Sequence, residues 1–160
     1  MTCEPTIHVI DDDRAIRASL GLLLTAEGYA VHTHQSAQIF LDTIRQCDSG
    51  CVVTDIDMPE INGLDLLAEM KERRVFMPVI IMTGQGNAEL VVAAMIQGAF
   101  DFFRKPFNAD VLLASIRRAL ICGDESKNEF FSAQAFVGRS RITANVEPAR
   151  AFRDGFAEPR

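Results

Sequence analysis

The sequence predicts a doubly wound α/β fold, in which five parallel strands form one sheet and five helices cover both of its faces. Between about residues 6 and 122, five short apolar runs alternate with five segments of helical periodicity. The runs are apolar throughout, as is typical of parallel strands that are buried on both sides. Right-handed crossovers would then place helices on both faces of the sheet.

The first part of this pattern contains three strands and two helices. Residues 7–10 are predicted as the first strand, and the helix that follows ends at Gly28, because glycine readily closes a helix in the left-handed conformation. Residues 29–33 are predicted as the second strand, Ser36 as the N-cap of the second helix, and residues 51–55 as the third strand. The apolar residues that mark the two helices are Ile16, Leu20, Leu23 and Leu24, then Ile39, Phe40 and Ile44.

The second part contains three helices and two strands. A loop at Asn62 precedes the third helix, and residues 79–82 and 99–103 are predicted as the fourth and fifth strands. Asn87 and Asn108 are predicted as the N-caps of the fourth and fifth helices. The apolar residues of these helices are Leu64, Leu66, Leu67 and Met70, then Leu90, Val91, Ala94 and Met95, and finally Val111, Leu112, Ile116 and Leu120.

Composition and charge exclude several classes of protein. The chain has 160 residues, of which 48% are hydrophobic and 24% are charged, and this is the balance of a folded soluble protein. The net charge of −6 and the pI near 5.0 argue against a surface that binds nucleic-acid phosphates. No apolar run approaches the roughly 20 residues that span a bilayer, and the N-terminus lacks the features of a secretory signal. The sequence therefore predicts a cytoplasmic protein without membrane partners.

Cysteine and histidine spacing disfavours a structural zinc site. The cysteines are Cys3, Cys47, Cys51 and Cys122. They form no CxxC pair, and no second Cys or His pair lies at zinc-finger spacing. His32 and His34 alternate and would share one face of a strand. Reduced thiols are the state expected in the cytosol.

The C-terminal residues 123–160 differ from the rest of the chain. They contain six basic and six acidic residues, so the whole net charge of −6 lies on residues 1–122. A segment of this length does not easily form a second core. We expect a tail or linker with partial helix after a domain of residues 1–122. The alternatives are a segment that packs back on the domain and one that joins two chains.

Polar side chains follow four of the predicted strands. Asp11 and Asp12 follow the first strand, Asp55 ends the third, Thr83 follows the fourth and Lys105 follows the fifth. Ligands of open parallel sheets bind at the carboxyl edge, where these residues would meet. Clustered carboxylates suit Mg²⁺, while a lysine and a hydroxyl could contact a phosphoryl group. Together they predict in-line phosphoryl transfer to an aspartate.

Taken singly, each of these residues also fits a structural role. Asp12 or Asp13 could cap the first helix, and Asp55 and Asp57 could be solvated loop acids. Thr83 could belong to a turn, and a lone lysine is most often a surface residue. The joint placement of all the groups at strand ends favours the functional interpretation.

Four motifs give the chain a specific resemblance over about residues 6–122. The motifs are Val9-Ile10-Asp11-Asp12-Asp13, then Val53-Thr54-Asp55-Ile56-Asp57-Met58-Pro59 with Asn62-Gly63, then Ile81-Met82-Thr83-Gly84, and finally Asp101-Phe102-Phe103-Arg104-Lys105-Pro106-Phe107. In these motifs the chain resembles the receiver domain of bacterial two-component response regulators, a CheY-like fold, in its FixJ-type branch. The expected strand order is 2-1-3-4-5.

The resemblance implies roles for the acidic residues. Asp55 would be the phosphoacceptor, and Asp11, Asp12 and Asp55 would hold Mg²⁺ together with the backbone carbonyl of Asp57. Strand alternation alone cannot choose between Asp55 and Asp57, since both would point the same way. The family motif selects Asp55, three residues before Met-Pro. Asp57 and Gln85 lie where similar domains tune dephosphorylation.

The resemblance also implies a switch. Lys105 would contact the phosphoryl group, Thr83 would be the switch hydroxyl and Phe102 the switch aromatic, and the peptide bond before Pro106 is cis in similar domains. Phosphorylation would then be read on the face of the fourth helix, fifth strand and fifth helix. The surface residues expected on that face are Ala94, Gln97, Asp101, Phe103 and Arg104.

The predicted function is that of a response regulator that accepts a phosphoryl group from a sensor histidine kinase or phosphotransfer protein and changes its dimerisation or partner binding. The tail lacks the basic excess and paired helices of a helix-turn-helix domain, so we expect a stand-alone receiver without DNA binding. The alternative is a truncated FixJ-like transcriptional regulator. A third interpretation is a phosphohydrolase of the haloacid-dehalogenase type, but those enzymes carry Asp-x-Asp after the first strand. We therefore expect no enzyme activity beyond self-phosphorylation and autodephosphorylation.

Overall fold

The fold is a five-stranded parallel sheet in the order β2-β1-β3-β4-β5, seen in a computed structural model that describes residues 4–46, 48–84 and 88–137. The strands are β1 (Thr6–Ile10), β2 (Ala30–His34), β3 (Gly50–Asp55), β4 (Val79–Thr83) and β5 (Asp101–Arg104). The helices are α1 (Arg14–Ala26), α2 (Ala37–Thr43), α3 (Gly63–Glu72), α4 (Ala88–Ile96) and α5 (Ala109–Val137). Strands and helices alternate along the chain, so the predicted fold class and strand order are confirmed.

Two hydrophobic cores lie on opposite faces of the sheet. One face packs on α2, α3 and α4, with Ile10, Phe40 and Ile81 among its fully buried residues. The other packs on α1 and on α5, with Leu24 and Ile116 at its centre. All six residues of β3 are buried because this central strand is covered on both sides. The strand ends that carry the polar residues are thereby held in a rigid frame.

Helix starts follow the predicted caps. The side chain of Asp13 accepts a hydrogen bond from the Ala15 amide, and Ser36 accepts one from Ile39. Asn62, predicted only as a loop residue, caps α3 by accepting from Asp65, and Asn108 accepts from Asp110. The predicted cap Asn87 lies outside the described residues.

The clearest boundary differences from the prediction are in β2, β5 and α5, whereas β1, β3 and β4 differ by one residue at one end. β2 and β5 each lie one or two residues further along the chain, because strand pairing aligns Ala30 with Thr6 and Asp101 with Ile80. The fifth helix was expected to end near residue 122, but α5 continues to Val137. Residues 124–137 contain no proline and include several strong helix formers, so nothing in the local sequence ends the helix.

Four apolar residues lie elsewhere than the sequence predicts. Ala94 was expected on the signalling surface, but it is fully buried in the core beneath α4. That prediction was wrong because Ala94 lies on the sheet-facing side of α4. Ile39, Met95 and Val111, expected to face the core, are instead exposed, at 47%, 38% and 50%. Their helices bury other residues, among them Phe40 and Leu112.

Two glycines allow close backbone contacts. Gly50 begins β3 with φ of 141°, and a Cβ there would overlap the carbonyl group of Thr6 on the neighbouring strand. Gly63 begins α3 and donates its amide to the Ile56 carbonyl at 3.1 Å, while a Cβ would lie 3.0 Å from the Ile56 Cα. The second contact draws α3 against the loop that follows β3.

The chain divides into two compact units, Met1–Asp124 and Glu125–Arg160. In the second unit the structure describes helical backbone as far as Val137. The tail beyond this point, together with Cys3 and Cys47, lies outside the described residues. No helix within the described ranges combines the length and apolar character that a membrane crossing requires.

Candidate functional site

The polar residues that the sequence singled out meet at the carboxyl edge of the sheet. Asp11 directly follows β1, Asp55 ends β3, Thr83 ends β4 and Lys105 directly follows β5. Parallel pairing brings these ends together, with Asp55 opposite Met82 and Thr83 opposite Arg104. The site is thus assembled from residues up to 94 positions apart in sequence.

A lysine bridges two carboxylates at the centre of the site. The Nζ atom of Lys105 donates to Asp11 Oδ2 at 3.1 Å and to Asp55 Oδ2 at 3.2 Å. The Asp11 side chain is fully buried, and that of Asp55 is 10% exposed. The remaining oxygens are also bonded, since Asp11 Oδ1 accepts from the Asp13 amide and Asp55 Oδ1 from the Asp57 amide. Both carboxylates are therefore fixed, and Asp55 keeps access to solvent.

Asp12 completes a cluster of three carboxylates. Asp11, Asp12 and Asp55 each offer one oxygen, and these three oxygens lie within 4.8 Å of one another. Asp12 is exposed while the other two are buried, so the cluster opens to solvent on one side. An all-oxygen donor set with an open side fits a hard divalent cation such as Mg²⁺, which keeps several waters.

Burial and charge act against each other on the pKa values of Asp11 and Lys105. Burial raises the pKa of Asp11 above its usual range, although the hydrogen bonds from Asp13 and Lys105 oppose this shift. Burial lowers the pKa of Lys105, but the hydrogen bond and charge of Asp11 and the charge of Asp55 outweigh it, and the pKa is raised. Lys105 is thus a permanent cation at this edge of the sheet.

The residues expected to transmit a signal lie on the paired strands β4 and β5. Thr83 is fully buried, and its carbonyl accepts the Lys105 amide at 2.7 Å, which ties the end of β4 to the start of the loop after β5. Phe102 is partly buried against the core under α4 and is opposite Ile81 in the sheet. The peptide bond between Lys105 and Pro106 is cis.

The structure separates Asp55 from Asp57, which the strand pattern could not do. Asp55 is buried and paired with Lys105, whereas Asp57 is exposed beyond the end of β3. The Asp57 contact to the site is its backbone amide, 3.2 Å from Asp55 Oδ1. Gln85, named with Asp57 as a residue that tunes dephosphorylation, lies outside the described residues.

One polar residue near the site was missed in the sequence. Arg17, on the first turn of α1, donates from Nη1 to the carbonyl oxygen of Asp11 at 2.6 Å. This contact holds the backbone that presents Asp11 and Asp12. Its only signal in the sequence is the four-residue spacing from the capping Asp13, which places the two residues on one side of α1.

Comparison with known proteins agrees with this geometry. The family model described as the response regulator receiver domain matches residues 7–117. The chain is 50% identical over 114 residues to the transcriptional regulatory protein FixJ of Azorhizobium caulinodans, which aligns 71% of this chain with 54% of that protein. It is 46% identical over 139 residues to FixJ of Bradyrhizobium diazoefficiens, covering 87% of this chain and 68% of that protein.

Solved structures show the same fold. The crystal structure of FIXJ-N superposes with a TM-score of 0.69 at 39% identity and covers 73% of this chain and 94% of that chain. The present chain spans about half to two thirds of the length of the curated relatives it matches. The family match covers well over half of the chain and includes the strand-end carboxylates and Lys105. The chain therefore belongs to the response regulator receiver domain family.

Proposed function

We propose that the protein is a phosphorylation-driven switch, in which Asp55 accepts a phosphoryl group from a phosphohistidine of a sensor kinase or phosphotransfer protein. The observation that carries this proposal is the Lys105 ammonium group, which lies 3.1 Å from Asp11 and 3.2 Å from Asp55. The ammonium group pairs with the Asp55 carboxylate before transfer and can pair with a phosphoryl oxygen after it. Family membership supports the same reaction class.

The proposed step is an in-line displacement at phosphorus. An Asp55 carboxylate oxygen attacks, the P–N bond to the donor imidazole breaks, an acyl phosphate forms and the imidazole takes up a proton. Positioning and charge neutralisation supply most of the catalysis in such transfers. The Asp57 amide holds the other Asp55 oxygen at 3.2 Å, which orients the carboxylate. Arg17 acts only as a positioning residue, through the Asp11 carbonyl.

The carboxylate cluster is the proposed cation site. Asp11, Asp12 and Asp55 would hold Mg²⁺, with the backbone carbonyl of Asp57 as a further ligand. The bound ion would neutralise charge on the phosphoryl oxygens. The support is the donor set itself, three carboxylate oxygens within 4.8 Å with one exposed member.

The test compares two neighbouring aspartates. Asp55→Asn should abolish labelling by a ³²P-phosphorylated histidine kinase, while its thermal unfolding shows an intact fold. Asp57→Asn is the matched control, since it removes an exposed carboxylate two residues away and should keep labelling. Labelling that survives Asp55→Asn and disappears in Asp57→Asn would contradict the assignment.

We further propose that phosphorylation is read out on α4, β5 and α5. A phosphoryl oxygen on Asp55 would offer an acceptor to the hydroxyl of Thr83, and movement of that hydroxyl would open space for Phe102. Such a change shifts an existing equilibrium between packings. The support for a binding face is its apolar surface, because Val92 and Ile96 on α4 are 52% and 62% exposed. A second copy of the chain or an output protein would cover it.

Mass in solution tests this face. Beryllofluoride, a mimic of the phosphoryl group, should convert wild-type monomer to dimer or increase binding of the output protein. Thr83→Ala should weaken that response, while Thr25→Ala on α1 serves as a control that should leave it unchanged. If mass and partner binding in the wild type do not respond to the mimic, the proposed face is wrong.

Two outputs are consistent with the family. The first is a stand-alone receiver that acts through other chains in the cytoplasm, and the balanced charge of residues 123–160 favours it over DNA binding. We propose no enzyme activity towards external substrates, because Asp55-Ile56-Asp57 follows the third strand and not the first. The two FixJ relatives are transcriptional regulatory proteins, and this favours the second output, in which the same receiver controls a DNA-binding segment. Sequencing the native gene beyond the codon for Arg160 distinguishes the two. Turnover of p-nitrophenyl phosphate would instead identify a phosphohydrolase.

A further inference from the structure

All three histidines of the chain lie on one face of two neighbouring strands. His8 on β1 is opposite His32 on β2 in the parallel register, and His34 follows two residues later on β2. Because side chains alternate along a strand, His32 and His34 point to the same side as His8. His8 is remote from His32 and His34 in sequence, and only the pairing of β1 with β2 brings it beside them.

Two of the three imidazole rings are in direct contact, and the third lies beside them. His8 Nδ1 lies 3.1 Å from His34 Nε2, and the ring centroids of His8 and His32 are 6.0 Å apart. Two nitrogens bound to one tetrahedral Zn²⁺ at about 2.0–2.1 Å are roughly 3.3 Å apart. The His8 and His34 nitrogens are thus near the spacing of two ligands of one ion, but in the metal-free protein they share a hydrogen bond, so one carries a proton that metal binding would displace. His32 is the exposed member, and its ring would have to turn towards the other two to complete the site.

The surroundings favour neutral imidazoles beside a polar opening. His8 and His34 are buried against Phe40, with ring centroids 5.2 and 5.3 Å away. Burial, followed by the charges of neighbouring imidazoles, lowers the pKa of both to about 4, so both rings are unprotonated at neutral pH. A cavity of about 530 Å³ lined by all three histidines and by Asp48 connects the group to solvent.

We propose that His8, His32 and His34 form a binding site for a borderline divalent metal ion, with Zn²⁺ as the type case. Imidazole nitrogen is a preferred ligand of Zn²⁺, Ni²⁺ and Cu²⁺, whereas Mg²⁺ prefers oxygen. Three histidines with one position left to water form an open site. The ligand set differs from that of the Asp11, Asp12 and Asp55 cluster, which lies at the carboxyl ends of β1 and β3 and offers only oxygen.

Calorimetric titration of the full chain with Zn²⁺, in excess Mg²⁺ to occupy the carboxylate cluster, tests the proposal. We expect one Zn²⁺ per chain. His32→Ala should weaken binding at least about tenfold, since even residues behind the ligands change metal affinity about 10–100-fold. His32 is exposed, so the variant should fold. Thr33→Ala, an exposed neighbour on the same strand, is the matched control and should bind like the wild type.

A second measurement identifies the ligand atoms. Replacing Cys3, Cys47 and Cys122 by serine should leave Zn²⁺ binding intact, and the Co²⁺ complex should lack a thiolate charge-transfer band. Imidazole ¹⁵N resonances of the wild type should shift on titration. The proposal is overturned if no Zn²⁺ binds, if His32→Ala binds as tightly as the wild type, or if binding depends on the cysteines. Absence of shifts in the imidazole resonances would show that the histidines are only a hydrogen-bonded core pair.

Discussion

At the scale of single residues, burial decides which chemically similar side chains can react. Asp55 and Asp57 are both carboxylates, but only Asp55 is held by Lys105. The same distinction holds for cysteines. Cys51 is fully buried in β3 and Cys122 is exposed on α5, and burial strongly raises the pKa of the Cys51 thiol. A raised pKa suppresses the thiolate, which is the nucleophile.

We therefore predict that iodoacetamide modifies Cys122 and leaves Cys51 unmodified in the native protein at pH 7.5. Peptide mass spectrometry of the digested protein would report each site separately. Guanidinium-unfolded protein is the control and should be modified at both positions. Rapid modification of Cys51 without unfolding would show that β3 opens locally far more often than its burial implies.

The buried histidines predict a loss of stability in mild acid. In the folded, chelator-treated protein the pKa of His8 and His34 is about 4, against a usual value of 6.5. The unfolded chain therefore binds more protons below pH 6.5, and stability falls as pH decreases from 6.5 towards 4. We expect a loss of roughly 3–5 kcal/mol between pH 7 and 4.5.

Urea unfolding at a series of pH values would measure this loss. Carboxylates also titrate near pH 4, so the variant in which both His8 and His34 are replaced by Leu is the reference. Replacing both partners avoids leaving one buried polar group unpaired. Its free energy of unfolding should fall less steeply between pH 7 and 5 than that of the wild type. Equal slopes would mean that the two rings are not held neutral.

At the scale of elements, backbone contacts between neighbours set where strands and helices can begin. The first residue of β3 is opposite Thr6 at the start of β1, and its φ of 141° favours glycine. The helix after β3 likewise begins with a glycine, which packs against the Ile56 backbone. Both features position β3, whose last residue is Asp55.

We predict that Gly50→Ala destabilises the protein by about 3 kcal/mol or more, because its Cβ would overlap the Thr6 carbonyl and the backbone there is strained for alanine. Gly21→Ala is the matched control. Its Cβ would lie 3.7 Å from Thr33 Cγ2, an ordinary contact, and alanine favours the interior of α1 by up to about 1 kcal/mol. Urea midpoints should move in opposite directions for the two variants. A small effect of Gly50→Ala would mean that β1 and β3 separate there without cost.

At the scale of the whole molecule, the carboxylate cluster works against the stability of the metal-free protein. Asp11 and Asp55 are buried side by side with one lysine between them, and Asp12 adds a third negative charge. The local repulsion is released on unfolding, so a cation that binds only the folded state should stabilise the entire domain.

We predict that Mg²⁺ at ten times its Kd stabilises the wild type by about 1.4 kcal/mol and raises its Tm by roughly 3–6 °C. Asp12→Ala should remove most of this response and leave the metal-free Tm equal or slightly higher, because it deletes an exposed like charge. Scanning calorimetry with EDTA or Mg²⁺ would show both effects, and Asp110→Ala on α5 is a control acid. An unchanged Mg²⁺ response in Asp12→Ala would remove Asp12 from the cation site.

Much of this architecture could be predicted from one sequence. The five apolar runs and the helical segments between them predict a doubly wound parallel sheet. Strands that are apolar on both sides must be buried on both sides, and helices on the two faces of the sheet provide that burial. The strand-end positions of Asp11, Asp55 and Lys105 predict their meeting at one edge. Local pattern was less reliable for helix faces, where Ile39 and Val111, expected in the core, are about half exposed.

Contacts between residues that are far apart in sequence became known only from the tertiary structure. The pairing of Lys105 with both Asp11 and Asp55, and the exclusion of Asp57 from that contact, follow from strand packing. His8 joins His34 only because β1 and β2 are neighbours in the sheet. Periodicity along a chain records which side of its own element a residue occupies. It does not show which other element packs opposite that side, because strand order and helix packing set those neighbours when the sheet assembles.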